Sequence, residues 1–290
     1  MASSLAASSL AGAAPKRAVS AFWADRTIGR IVTVGNLKGG TGKSTITVNL
    51  ACALATGGRS VCVVDCDPQA TSYKWLARGE CDVAAERMPV EKISSVEGWM
   101  LKAGRLVEEY DVILVDLPAV VTPAVASAFL LSHVILIPVT PSAVDIDGTE
   151  RVLRHVRTTR EERLDAMPQV MLVPTRVDQL TLHRDRLPSR MARLHERIGP
   201  PVRERAALAD AFEARRWIGH FAPESAAHAD IMVLEAAVFE LLEKAPEPPL
   251  LRRLPQMRAL EPESLRMPEQ AEGAGGKLAQ KSWWRRFFTF

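Results

Sequence analysis

Apolar residues gather along this chain in short unbroken runs, not in strict alternation. The clearest are Ile31-Val32-Thr33-Val34, Ser60-Val61-Cys62-Val63-Val64-Asp65, Val112-Ile113-Leu114-Val115-Asp116, His133-Val134-Ile135-Leu136-Ile137-Pro138-Val139 and Gln169-Val170-Met171-Leu172-Val173-Pro174. Runs of this length, bounded by charge, glycine or proline, read as strands of a parallel sheet buried on both faces. A helix follows the first run, continuing to about Ala55 before Gly57-Gly58 stops it. Another opens at Thr149, and an amphipathic one closes the pattern over 226–242, with Ile231, Leu234, Val238 and Leu241 at helical spacing. Residues 71–110 are less regular, and Trp75, Trp99 and Tyr110 are the expected packing anchors there.

Chemistry collects where these runs end. After Val34 comes Gly35-Asn36-Leu37-Lys38-Gly39-Gly40-Thr41-Gly42-Lys43-Ser44-Thr45, so strand, glycine-rich loop and helix follow in order. Gly39, Gly40 and Gly42 let backbone N–H groups turn inward, and with the positive end of the helix dipole they form a phosphate cradle. Lys43 is placed to reach the outer phosphates and the Ser44 hydroxyl to ligate Mg²⁺. A purely structural turn would not need the Lys43-Ser44 ending in this context. The second run delivers Asp65-Cys66-Asp67-Pro68-Gln69, and the third delivers Asp116-Leu117-Pro118. Acids at the C-terminal ends of buried parallel strands stand where open α/β sheets take ligands. Capping the next helix is the plainer role for the first pair, but beside a phosphate loop the ligand role is favoured. Asp116 is suited to holding the hydration shell of Mg²⁺, which prefers hard oxygen ligands and keeps its waters.

The loop carries an additional lysine at its start, and here the chain resembles a known family. Lys38-Gly39-Gly40-Thr41-Gly42-Lys43-Ser44-Thr45 resembles the deviant Walker A box of the ParA/MinD partitioning and positioning ATPases, which usually write valine at position 41. Asp65-Cys66-Asp67-Pro68-Gln69 and Asp116-Leu117-Pro118 resemble the family's next two signatures, and Pro141 to Gly148 its second switch. The resemblance implies an α/β fold, a doubly wound, mostly parallel P-loop sheet, over residues 28–244. It implies ATP and Mg²⁺ as cofactors and a slow, partner-stimulated ATP hydrolase that dimerises on ATP. By that match Lys38 crosses to the other subunit's nucleotide, Asp67 activates the attacking water, and Asp65 supports Mg²⁺ beside Ser44 and Asp116. Gly39 through Thr45 bind nucleotide. Relatives place a base-reading asparagine where Pro174-Thr175 stands here, so Pro174 and Thr175 join the nucleotide-binding residues that the resemblance implies, and Val120-Val121 departs from the usual start of the first switch.

Charge decides how DNA could enter. The net charge is +3, but Lys277, Lys281, Arg285 and Arg286 lie in an acid-free tail, which leaves the remainder at −1. Nucleic-acid binding by the body therefore needs a local patch. Residues 180–205 are rich in arginine but diluted by Asp185, Glu196 and Glu204, and Pro201 to Ala211 resembles a segment that relatives use on DNA. Arg203, Arg205, Arg215 and Arg216 are the candidates, binding phosphates without reading bases. Arg151, Arg154 and Arg157 share roughly one helix face, which with Glu161 and Glu162 nearby reads as ordinary solvated surface. Nonspecific DNA and a ParB-like activator are the partners that the resemblance implies, and partition of a plasmid, chromosome region or other cargo is the function.

The ends add less. With 47% hydrophobic residues, the 290-residue chain can bury one good core. Residues 1–27 read as a disordered arm with no continuous apolar stretch after a basic start, so no signal peptide is expected. Four cysteines (Cys52, Cys62, Cys66, Cys81) form no CxxC pair and read as buried thiols of a reducing compartment. A cytoplasmic, nucleoid-associated protein is the expectation. Residues 245–276 are a Pro/Glu-rich linker. In the 277–290 tail, Trp283, Trp284, Phe287 and Phe288 oppose Arg285 and Arg286 on a helix, which suits either a membrane interface or a groove on a partner. A MinD-like, membrane-cycling ATPase is the alternative this tail raises.

Overall fold

The computed structural model describes residues 28–78, 88–93, 95–120, 122–163, 167–177 and 187–246. The N-terminal arm, Cys81, the greater part of the linker and the aromatic tail lie outside them. The five apolar runs become five strands: β1 (Arg30–Val34), β2 (Val61–Asp65), β4 (Val112–Asp116), β5 (Val134–Val139) and β6 (Gln169–Val177). Three shorter strands join them, β3 (Val90–Lys92), β7 (Arg197–Ile198) and β8 (Val202–Arg203). The order is β3-β2-β4-β1-β5-β6-β7, with β8 also pairing β6, and every pairing is parallel. β1, β2, β4 and β5 are buried at every position, as unbroken apolar runs require.

Helices cover both faces. One face packs α3 (Val96–Glu109), α4 (Pro123–Leu131), α5 (Ala143–Arg163) and the short α6 (Leu187–Ala192) around Trp99, Phe129, Val152 and Met191. The other packs α1 (Lys43–Thr56), α2 (Thr71–Arg78), α7 (Ala206–Glu213), α8 (Ile218–Phe221) and α9 (Ala226–Lys244) around Trp75, Leu50, Trp217 and Ile231. Neighbouring strands β1 and β4 thus send their following helices, α1 and α4, to opposite faces. That reversal opens a crevice at the C-terminal ends of the two strands, where such sheets bind ligands.

Two expectations change in the structure. The described residues of 71–110 are mostly helical, because Trp75 and Trp99, 2% and 1% exposed, anchor α2 and α3 on opposite faces of the sheet. The helix expected from Thr149 instead begins at Ala143, with Asp145 N and Ile146 N already bonded to Ser142 O. Gly148 is carried inside that helix, a cost of about 1 kcal/mol that tertiary packing absorbs.

Candidate functional site

Three strand ends meet at the crevice. Val34 and Asp65 each register against Asp116, and Cys66 N and Leu117 N bond across to Asp116 O (2.9 Å) and Val34 O (3.0 Å). The glycine-rich loop departs from this point. Asn36 fixes its entry, donating to Pro138 O (2.6 Å) and accepting from Lys38 N (3.3 Å). Gly40 and Gly42 hold φ of 74° and 89°, a region where a side chain is strained, and no atom lies within 4 Å of a Cβ built on Gly39 or Gly40. The cradle is open at the backbone.

The helix after the loop is left without a side-chain cap. α3, α4 and α9 have Ser95, Thr122 and Ser225 as caps, each accepting a bond from the first turn. α1 has Gly42 in the left-handed region and no capping side chain. A conventional cap contributes about 1 kcal/mol, so its omission here leaves first-turn N–H groups for an anion.

Lys43 is 7% exposed and donates to Lys38 O (2.9 Å). Burial lowers its pKa, and the charges of Asp116 and Asp67 oppose that shift. Asp116 is fully buried. Its Oδ2 accepts from Ser72 Oγ (2.6 Å), whereas Oδ1 has no hydrogen-bond partner. Burial pushes its pKa up to about 7, against the pull of the Ser72 and Ser44 hydroxyls and of Lys43. Asp65 is raised for the same reason, although Tyr73 N and Asp67 N both donate to it at 2.9 Å. Half-buried Asp67 accepts from Gln69 N (2.8 Å). An orphaned buried carboxylate oxygen beside the Ser44 hydroxyl and a second raised carboxyl fit a hard divalent cation that keeps most of its waters. Among the described residues no group of three or more His, Cys, Asp or Glu is assembled for metal binding. The donor set therefore suits Mg²⁺ held together with a phosphate ligand.

The sequence profile of the CobQ/CobB/MinD/ParA nucleotide binding domain matches residues 32–216, from β1 past α7. The chain belongs to that family. As a CobQ/CobB/MinD/ParA domain it is 36% identical over 122 residues to the maintenance of carboxysome distribution protein A of Gloeobacter kilaueensis, across 40% of this chain and 52% of that protein. The match thus spans about half the length of that relative. It is 28% identical to Protein ParA of Rhizobium radiobacter over 63% of this chain and 82% of the relative. Among solved structures, an ATP complex of a Cyanothece McdA variant superposes with TM-score 0.60 at 17% identity, covering 74% of this chain and 96% of that one. The septum site-determining protein MinD of Pyrococcus horikoshii, complexed with Mg-ADP, gives TM-score 0.60 at 20% identity over 74% and 97%. These superpositions establish the fold.

Within this family domain the structure brings together Gly39 to Thr45, Asp65, Asp67 and Asp116. It gives the two lysine ammonium groups different partners, Lys43 reaching Lys38 O and Lys38 reaching α5. The Lys38 ammonium is paired with Asp145 of α5, a carboxylate 2% exposed that also accepts from Thr140 Oγ1. Pro174 registers against Val139 inside the sheet, and the Thr175 hydroxyl donates to Thr41 O (2.9 Å), pinning the loop. Of the arginine candidates, Arg203 and Arg205 both pair with Asp230 of α9, Arg205 at 3.6 Å. Arg215 is exposed and Arg216 half-buried. Asn36, Ser72, Thr140 and the role of Asp145 escape sequence reasoning. Each acts on a partner more than thirty residues away or sits just before an unmarked helix start.

Proposed function

We propose that this chain is a ParA-type ATPase that dimerises on ATP, binds DNA without sequence preference, and drives partitioning or positioning of a large intracellular cargo. A partner protein triggers hydrolysis. The observation that carries this reading is the division of labour between two lysines of one loop. Lys43 is buried against Asp116 and Asp67, whereas Lys38, 45% exposed, turns away from them to Asp145. A lysine at the loop's rim, held by a contact it can exchange, suits a role toward a second subunit. Thr140 would still donate to Asp145 after Lys38 left, which reduces the cost of stranding a buried acid.

Bound Mg-ATP supplies the triphosphate whose terminal phosphoryl group passes to water. The α1 N-terminus and Lys43 hold the phosphates. Ser44, Asp116 and Asp65 would hold the cation through their oxygen donors. Asp67 has one oxygen fixed by Gln69 N and the other left to orient a water molecule. Catalysis of this kind rests on positioning and charge neutralisation. The test is phosphate release by the purified chain alone. We expect slow release, abolished in Asp67→Ala without loss of nucleotide binding. Undiminished release by Asp67→Ala would remove that residue from catalysis, and rapid turnover by isolated monomers would contradict the partner-timed cycle.

A further inference from the structure

The face that packs α3 to α6 presents an arginine surface that the cycle above leaves unassigned. α5 buries Asp145, Thr149, Val152, Leu153, Val156 and Thr159, and on its outward side Arg151, Arg154 and Arg157 are exposed. Arg190 of α6 and Arg193 just after it are exposed as well. The two helices form one surface. Val152, Leu153 and Val156 share a core with Met191 and Leu194, and Arg160 grips Glu196 through two bonds of 2.7 and 3.1 Å. None of the five exposed arginines has an ion-pair partner among the described residues, although Glu150 and Glu161 stand four positions from Arg154 and Arg157. The exposed acids described on this surface are Asp147, Glu150 and Glu161, so positive charge is in excess.

The other arginine surface is balanced. Arg203 and Arg205 converge on Asp230, and exposed Glu204, Asp210 and Glu213 accompany Arg215 and Arg216. A polyanion using Arg203 and Arg205 would have to strip a carboxylate that is 6% exposed of its partners. Of the large exposed hydrophobics described, Phe212, Phe221, Met232 and Val233 lie on that side, Tyr73, Val120 and Ile198 lie on other elements, and none lies on α5 or α6 among the residues whose exposure is described. Guanidinium groups with no apolar companion described on their own helices suit a phosphate backbone better than a membrane or a protein groove, both of which need apolar contact.

We infer that the α5–α6 arginine surface is the one that takes duplex DNA, through its phosphates. The inference rests on the DNA-binding reading above and moves it to a different surface. Arginines three residues apart on α5 rise about 4.5 Å per step, a row able to follow one backbone strand. The first turn of the same helix contributes Asp145, the residue that holds Lys38. The DNA surface and the nucleotide loop therefore share one rigid element.

The test is fluorescence anisotropy of a labelled mixed-sequence duplex with the full chain, Mg²⁺ and a slowly hydrolysed ATP analogue, over a salt series. Combined Arg151→Ala, Arg154→Ala and Arg157→Ala should weaken binding by about tenfold or more and lower the salt slope by about two to three. The three lysine replacements should retain binding, because charge and not geometry is read. Arg190→Ala with Arg193→Ala gives an independent loss should the triple variant fold poorly, which thermal melting and nucleotide binding report. Arg203→Ala with Arg205→Ala should change affinity by less than about threefold, as expected for arginines already paired. If the last pair loses binding and the α5 triple does not, DNA binding stands and this surface is wrong. If the unaltered chain binds no duplex at low salt, the DNA reading itself fails and the inference with it.

Discussion

β4 carries a buried aspartate at each end, and the two are treated in opposite ways. Asp111, just before the strand and 1% exposed, accepts two bonds from Ser60, from its N (3.0 Å) and its Oγ (2.8 Å), and gives its own N–H back to the same residue. Close by, His133 accepts from Ile31 N (2.9 Å) and meets Arg30 Nη1 at 3.0 Å. Asp116, five residues on, keeps one oxygen unpartnered and a pKa near 7. Burial alone therefore does not mark a site in this fold. What marks it is burial with hydrogen bonding left incomplete, beside an uncapped helix and a loop of left-handed glycines.

The harshest way to break this contrast is to remove the cation at the open end. Lys43→Ala should lower nucleotide affinity by about 100-fold or more, as expected for loss of a buried charge-assisted contact. Isothermal titration would measure it, and retained tight binding would refute the assignment of the loop.

The contrast sharpens when the two aspartates are changed separately. Asp111→Ala should destabilise the protein by about 1–3 kcal/mol, since Ser60 loses its acceptor. Asp116→Asn should do the reverse in metal-free protein at neutral pH. The unfolded carboxyl releases its proton near 4 and the folded one near 7. Between those values the native state binds more protons than the unfolded state, so stability falls as pH rises. The gain from asparagine should accordingly grow from pH 4 to 7 and then level off. Melting curves across that range test it, and equal losses for both variants would erase the distinction between the two ends.

Much of this site could be read from the chain before its fold was known, because its parts are marked locally. Gly39 to Ser44 carry their own strand and helix context, and Asp65 and Asp116 close apolar runs that can only be buried strands. The parts that could not be read depend on distant pairing. Nothing near Arg203 announces that Asp230 would neutralise it, since the two meet only when β8 packs beside α9. Thr175 stood where a base-reading residue was expected, yet its hydroxyl is directed to Thr41 O of the loop. Asp145 lay in a segment resembling a switch, and its hold on Lys38 follows from α5 starting six residues earlier than its sequence suggests.

In the cycle proposed above, nucleotide draws Lys38 from Asp145 toward a second copy of the chain. Light scattering coupled to gel filtration, run with Mg²⁺ and a slowly hydrolysed ATP analogue, tests it most directly. The unaltered chain should move from its 31.8 kDa monomer mass to twice that value, while Lys38→Ala binds the nucleotide and stays monomeric. A nucleotide-saturated chain that remains a monomer, or a Lys38→Ala variant that dimerises equally well, would contradict it.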